Sequence, residues 1–210
     1  MTDRTHAVMD SAIRLAERGR FAALRSLVDK LRAGDGVRRN AGRAFRLALK
    51  GAELGDAYLT WYVGDAYENG EGTVASLAEA RRYYEHAMAL GSPEAATALG
   101  VYWWTHARSS RDRKRALSLY RKAATQSEPH ALHNLGVCYS TGNGVRRSFT
   151  TAYRYFLKAA KKGHLEAQFK VGWCLLYGEG VRTDPKKART WLRTAARQGH
   201  READKLLKSG

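Results

Sequence analysis

The chain has 210 residues, 44 % of them hydrophobic, with three prolines and abundant Ala, Leu and Arg, a composition that favours helices. It has no run of about 18 apolar residues, which argues against a membrane-spanning helix, and its first ten residues lack the basic start and apolar stretch of a secretory signal. Lys and Arg number 37 against 20 Asp and Glu, a formal charge of +17, an excess that attracts nucleic acid, anionic membrane or acidic protein.

In chain order, the first predicted element is a helix within residues 1–18, with Val8, Ala12, Leu15 and Ala16 on one face. Five units of 36 residues follow: 19–54, 55–90, 91–126, 127–162 and 163–198. Gly19, Gly55, Gly91 and Gly163 open four of them, Ser127 fills the remaining slot, and Gly199 follows the last. A fixed period of this length is the signature of a repeat array.

The first unit carries Gly34-Asp35-Gly36-Val37 in its middle, and Val28 where later units have glycine. The second carries Gly64 and then Gly70-Glu71-Gly72-Thr73. The third keeps Gly100, but His106 and Arg108 replace the paired glycines, so its local turn is expected to differ while the stack continues. In the fourth, Ala131, Leu135 and Tyr139 are four apart and predict one helix. After Gly142-Asn143-Gly144-Val145, Ala152, Tyr155, Phe156, Ala159 and Ala160 recur at i, i+3, i+4, i+7 and i+8 and predict a second. The fifth repeats this pattern around Gly172 and Gly178-Glu179-Gly180-Val181. Residues 199–210 predict a closing helix with Ala203 and Leu207 in phase and polar side chains available for solvent.

Two glycine patterns need reasons. Gly142-x-Gly144 followed by two arginines has the look of a phosphate loop, but such a loop follows a strand and often carries Gly-Lys-Ser/Thr. Here the motif occurs four times after helices, so it is read as a helix-to-helix turn using backbone angles open to glycine. Gly64, Gly100, Gly136 and Gly172 fall inside predicted helices, where glycine costs about 1 kcal/mol relative to alanine. Their recurrence predicts helices that approach too closely for a side chain.

The unit pattern Gly-x-x-x-Ala-x-x-x-Leu-Gly-x-x-Tyr-x-x-Gly-x-Gly-Val, then Lys-Ala-x-x-Trp-x-x-Lys-Ala-Ala-x-x-Gly, resembles the Sel-one-like repeat family, a relative of the tetratricopeptide repeats. Residues 163–199 match best, through Gly163, Ala167, Gly172, Gly178, Gly180, Val181, Asp184, Lys187, Ala188, Trp191, Ala195, Ala196 and Gly199. The resemblance implies an all-α, right-handed α-solenoid of about five helix-turn-helix repeats between capping helices. It also implies a non-enzymatic adaptor that holds another protein or peptide; bacterial members are linked to secretion, envelope signalling, host contact or toxin neutralisation.

Carried over from the tetratricopeptide relatives, the concave face would be lined by the first helix of each unit. This places Tyr58, Trp61, Asp65 and Glu68; Glu94, Thr97 and Trp104; His130, His133 and Ser140; and Glu166, Phe169, Trp173 and Tyr177 inward. Aromatic side chains left on an exposed face are binding anchors; the alternative is that these rings cover seams between neighbouring helices. The cations lie elsewhere. Arg146, Arg147, Arg154, Lys158, Lys161 and Lys162, with Arg189 and Arg193 in the fifth unit, predict a basic convex face. That face is either solvated or a polyanion site for nucleic acid or anionic membrane, the second choice of partner.

Cys138 and Cys174 are also 36 apart, so stacked helices would hold them about 8–10 Å from each other, too far for a disulfide. Two free, buried thiols and a cytoplasmic setting are expected. His130 and His133 share a helix without a third ligand, so no metal is assigned. No catalytic motif, cofactor or small-molecule substrate is expected.

Overall fold

The computed structural model describes residues 2–208, and among them all regular structure is helical. An opening helix α1 (Thr2–Ala16) precedes five hairpins: α2 (Ala22–Ala33) with α3 (Ala41–Glu53), α4 (Ala57–Asn69) with α5 (Leu77–Ala89), α6 (Pro93–Thr105) with α7 (Ser110–Thr125), α8 (Pro129–Thr141) with α9 (Phe149–Lys161), and α10 (Leu165–Tyr177) with α11 (Pro185–Arg197). Helix α12 (Arg201–Lys208) follows. The chain divides into two compact units, residues 1–99 and 100–210, with the division inside α6.

The hairpins are punctuated by side chains that the repeat supplies in phase. Asn40, Ser76, Ser148 and Asp184 each accept a backbone N–H at the start of a second helix, satisfying one donor that the helix leaves open. Gly142 and Gly144 have φ of 76° and 72°, so the turn between α8 and α9 uses the left-handed region that glycine enters without strain. The motif is therefore a hairpin turn, as its position after a helix predicts.

The mid-helix glycines have the expected cause. A methyl group added at Gly64, Gly100 or Gly136 would stand 2.6, 2.6 and 2.5 Å from the rings of Tyr84, Tyr120 and Phe156. At Gly172 it would stand 2.7 Å from Leu192. In every case the large residue lies 20 positions later, on the second helix of the same hairpin. In the first hairpin the volumes are exchanged: Val28 takes the glycine position, Ala48 lies 20 positions on, and both are fully buried.

The third turn is rebuilt. Helix α7 starts three residues earlier in the repeat than the other second helices, and Ser109 and Asp112 cap each other's backbone N–H groups reciprocally. One extra helical turn thus absorbs residues that elsewhere need two glycines.

In unit 1 the core joins Leu24, Val28, Leu31, Ala44, Ala48, Leu59, Tyr62 and Val63. In unit 2 one core cluster centres on Phe156, Ala159, Ala167, Val171 and Leu175, and another on Phe169, Leu192, Ala195 and Ala203 beneath α12. Cys138 and Cys174 are free and buried, and burial pushes each thiol up to about 11. Because the thiolate is the reactive form, Ellman's reagent at mildly alkaline pH should leave both untouched in the folded protein. Both should react after denaturation, and a fast-reacting thiol in the native state would contradict this packing.

Candidate functional site

In unit 1 the nominated first-helix residues are held by charge. Tyr58 is half-buried, donates its hydroxyl to Asp29 Oδ1 at 2.7 Å, and lies under the Arg25 guanidinium at 5.7 Å. Arg25 in turn grips the fully buried Asp56 carboxylate through Nε and a terminal guanidinium nitrogen at 2.6–3.1 Å, while Asp56 caps α4 by accepting Leu59 N–H. Trp61 tilts against Tyr58 with ring centres 5.5 Å apart. Arg32 ties Asp65 at 2.7 Å to Glu71 at 3.0 Å. Glu68, placed in the groove from sequence, accepts the Tyr84 hydroxyl at 2.6 Å, so one oxygen already serves the hairpin.

In unit 2, Trp104 is half-buried near the end of α6. Beyond it the first helices carry a histidine cluster. His133 stacks on His164 with ring centres 4.6 Å apart and 13° between planes, and His130 meets His164 edge-on at 4.7 Å. His164 Nδ1 accepts the Ala167 backbone N–H at 3.2 Å, so His164 is the N-cap of α10. A nitrogen that accepts carries no proton, which leaves the ring proton on Nε2. That Nε2–H donates to His130 Nδ1 at 3.2 Å. The arrangement recurs one repeat later: His200 Nδ1 accepts Ala203 N–H at 3.2 Å, and its Nε2–H donates to Glu166 Oε2 at 2.9 Å.

Burial and the neighbouring His133 and His130 rings push His164 down to about 4, and burial also lowers His133. Burial would raise Glu166, but the His200 N–H and the Lys170 ammonium outweigh it and hold that carboxyl below its usual range. Among the described residues, no group of three or more His, Cys, Asp or Glu side chains is placed to hold a metal ion.

The aromatic row continues along α10 with one change from expectation. Phe169 does not face solvent: it is 7 % exposed and covered by the His200 ring, stacked 4.3 Å away. The sequence placed it inward because the chain that covers it belongs to the closing cap. Trp173 and Tyr177 do reach the surface. Their rings are 4.3 Å apart, Tyr177 is 53 % exposed, and Trp173 Nε1–H donates to Glu179 at 3.3 Å.

The nominated cations are exposed. Arg154, Lys158, Lys161 and Lys162 lie on or just after α9, Arg189 and Arg193 on α11, and Arg146 and Arg147 in the turn before α9. None of them forms an ion pair among the described residues; Arg147 lies over the Phe149 ring at 5.3 Å and Lys158 over Tyr155 at 5.8 Å.

Sequence reasoning gave His164 and His200 no site role. The available signal was the repeat itself, because they occupy the cap position of Asp56 and Ser92, two residues before His130-type positions that first turns present.

The Sel1 repeat profile matches residues 31–56, 58–92, 93–128, 129–164 and 165–200, nearly the whole array. The chain belongs to the Sel1 repeat family. Sel1 repeats are protein-interaction scaffolds. Among solved structures, a Sel1 repeat protein from Oxalobacter formigenes is 28 % identical with a TM-score of 0.77, over 90 % of this chain and 77 % of that one. The protective antigen c5321 of uropathogenic Escherichia coli, which displays the same fold, is 27 % identical with a TM-score of 0.71; 95 % of this chain aligns, spanning 43 % of that chain. Immunity protein Pa5087 of Pseudomonas aeruginosa shares the fold at 20 % identity and a TM-score of 0.62, over 87 % of this chain and 68 % of that one. No match is found among curated proteins.

Proposed function

We propose that this Sel1 repeat protein is a non-enzymatic adaptor that holds a segment of another protein against the exposed face of its first helices, with Trp173 and Tyr177 as the anchor in unit 2. The supporting observation is that this ring pair stays at the surface although α10 fills its core positions with Val171, Gly172, Cys174 and Leu175. Large rigid rings offer contact area at low entropic cost, which is why they dominate binding energetics. In unit 1, Tyr58 and Trp61 are the half-buried rings of the first helix α4, at the repeat positions of Glu166 and Phe169. The Sel1 fold also serves immunity proteins of P. aeruginosa, so a toxin lies within the range of partners this reading covers; a fold by itself does not select one. The reading includes a cytoplasmic setting, in which the two thiols stay reduced.

The test is affinity capture from cells that express the protein, with wild type beside a Trp173→Ala, Tyr177→Ala variant. A specific protein should be recovered with wild type and reduced by roughly tenfold or more with the variant, while helicity by circular dichroism stays the same. Equal recovery with both proteins would remove the anchor from this face.

A further inference from the structure

The formal charge is divided unevenly. Residues 1–99 hold 14 Lys and Arg against 13 Asp and Glu, a net of +1, whereas residues 100–210 hold 23 against 7, a net of +16. Part of this excess surrounds a defined cleft of ≈ 480 Å³ between the second helices α7 and α9. Its wall is apolar where the half-buried Ala124 and Tyr155 line it, above Leu132 and Leu135 of α8, which are themselves buried. Its rim carries Arg121, Lys158, Lys161 and Lys162, all exposed and none in an ion pair among the described residues.

The same cleft exists in unit 1, 72 residues earlier, between α3 and α5. There Leu49 stands in place of Arg121, Glu53 in place of Thr125 and His86 in place of Lys158. Ala89 and Leu90 occupy the positions of Lys161 and Lys162. Its one firm cation, Arg82, is bound to Glu79 at 2.8 Å, and Glu53 is paired with Lys50. The hairpin stack therefore forms the cleft in both units, but only unit 2 loads it with cations and removes the acid. Of these two clefts only the one in unit 2 carries the charge that an acidic ligand requires.

We propose that the α7–α9 cleft docks an acidic segment of a partner protein that inserts one apolar side chain between flanking carboxylates. Four cations outside any ion pair among the described residues supply the electrostatic complement, and the partly exposed Ala124 and Tyr155 supply a place for a hydrocarbon group. Nucleic acid carries its bases a full sugar away from its phosphates, whereas an acidic protein segment sets an aliphatic side chain directly beside its carboxylates, as the cations here stand directly beside the apolar wall; this favours protein as the occupant. The site is on the second helices and does not depend on the first-helix reading above.

The probe is a fluorescein-labelled peptide of about twelve residues, Asp and Glu around one central Leu, followed by anisotropy at near-physiological salt. The test variant keeps Arg121 and gives the cleft its unit 1 counterpart's residues at four other positions: Thr125→Glu, Lys158→His, Lys161→Ala and Lys162→Leu. These side chains already occupy the equivalent positions of two neighbouring hairpins of the same chain, and a thermal melt verifies that the variant folds. Wild type should bind the probe, the variant should bind at least about tenfold more weakly, as the loss of several charge contacts implies, and Trp173→Ala should bind like wild type. A peptide with Gln in place of the Leu should bind more weakly than the probe. The proposal is overturned if wild type fails to bind, if the variant binds equally, or if the Gln peptide binds as well. It is also overturned if a single-stranded oligonucleotide or a phosphatidylserine vesicle binds tighter and displaces the peptide.

Discussion

Gly180→Ala should destabilise the protein by about 3–4 kcal/mol, whereas Gly36→Ala, at the equivalent position of the first turn, should cost only about 1–2 kcal/mol. Both glycines adopt the left-handed region, with φ of 72° and 66°. A methyl group there strains the backbone equally in the two variants, by about 1–2 kcal/mol at most. They differ in their neighbours. At Gly180 the added carbon would fall on the backbone carbonyl of Phe149, at the first turn of α9, well inside van der Waals contact. At Gly36 nothing lies within 4 Å. A backbone wedged at a helix start cannot swing aside as a side-chain tip can, so the clash adds about 2 kcal/mol of overpacking. Urea unfolding at equilibrium checks the pair: the midpoint should fall far more for Gly180→Ala. Equal midpoints would mean that the second turn glycine serves backbone conformation alone.

That contact shows what a sequence with a fixed period makes legible and what it conceals. The beat of 36 residues gives the hairpins, and the cost of glycine in a helix points to close approach at Gly64, Gly100, Gly136 and Gly172. The identity of the approaching residue, 20 positions later, needs the packed structure, because it depends on how the hairpin closes. The third turn was partly legible: Ser109 and Asp112 are three apart, the spacing of a capping box, but the missing glycines drew attention to His106 and Arg108 instead. The candidate site was less readable. Tyr177 is exposed and Trp173 half-buried where helical spacing puts them. Phe169 has the same pattern and is covered, because His200 arrives from the following helix and no periodicity within α10 reports it. His164 and His200 were hidden for a chemical reason: the repeat position they share with Asp56 and Ser92 marks a cap, but histidine is not among the side chains ordinarily favoured there, and a cap position alone does not show that the imidazoles also bridge repeats.

The bridging imidazoles set the second large expected effect, an acid-dependent loss of stability of about 2 kcal/mol. His164 titrates near 6.5 in the unfolded chain and at about 4 in the folded one, because burial and the rings of His133 and His130 oppose a charge there. Between those values the unfolded chain binds more protons than the folded one, so stability rises with pH across the window. The contribution is complete above about pH 6.5 and is lost as pH falls through about 4. Protonation also fills Nδ1, the atom that caps α10, so the charged ring must release the Ala167 N–H. His133, lowered by burial, acts in the same direction. The groups facing the cluster are His130, Glu166 and Lys170, with His200 on Glu166; the Glu166 carboxylate favours protonation of the rings and Lys170 opposes it. Partial solvent exposure reduces the His164 share to about 1–2 kcal/mol. The variant His164→Asn keeps a side-chain oxygen for the cap but removes the titrating ring. It should lose a little stability at neutral pH through the missing stack and bond to His130, yet show a clearly shallower decline toward acid. Urea midpoints measured across the window for both proteins decide the matter. Parallel declines would place the acid sensitivity elsewhere, in a carboxylate such as Glu166 that is held below its usual range.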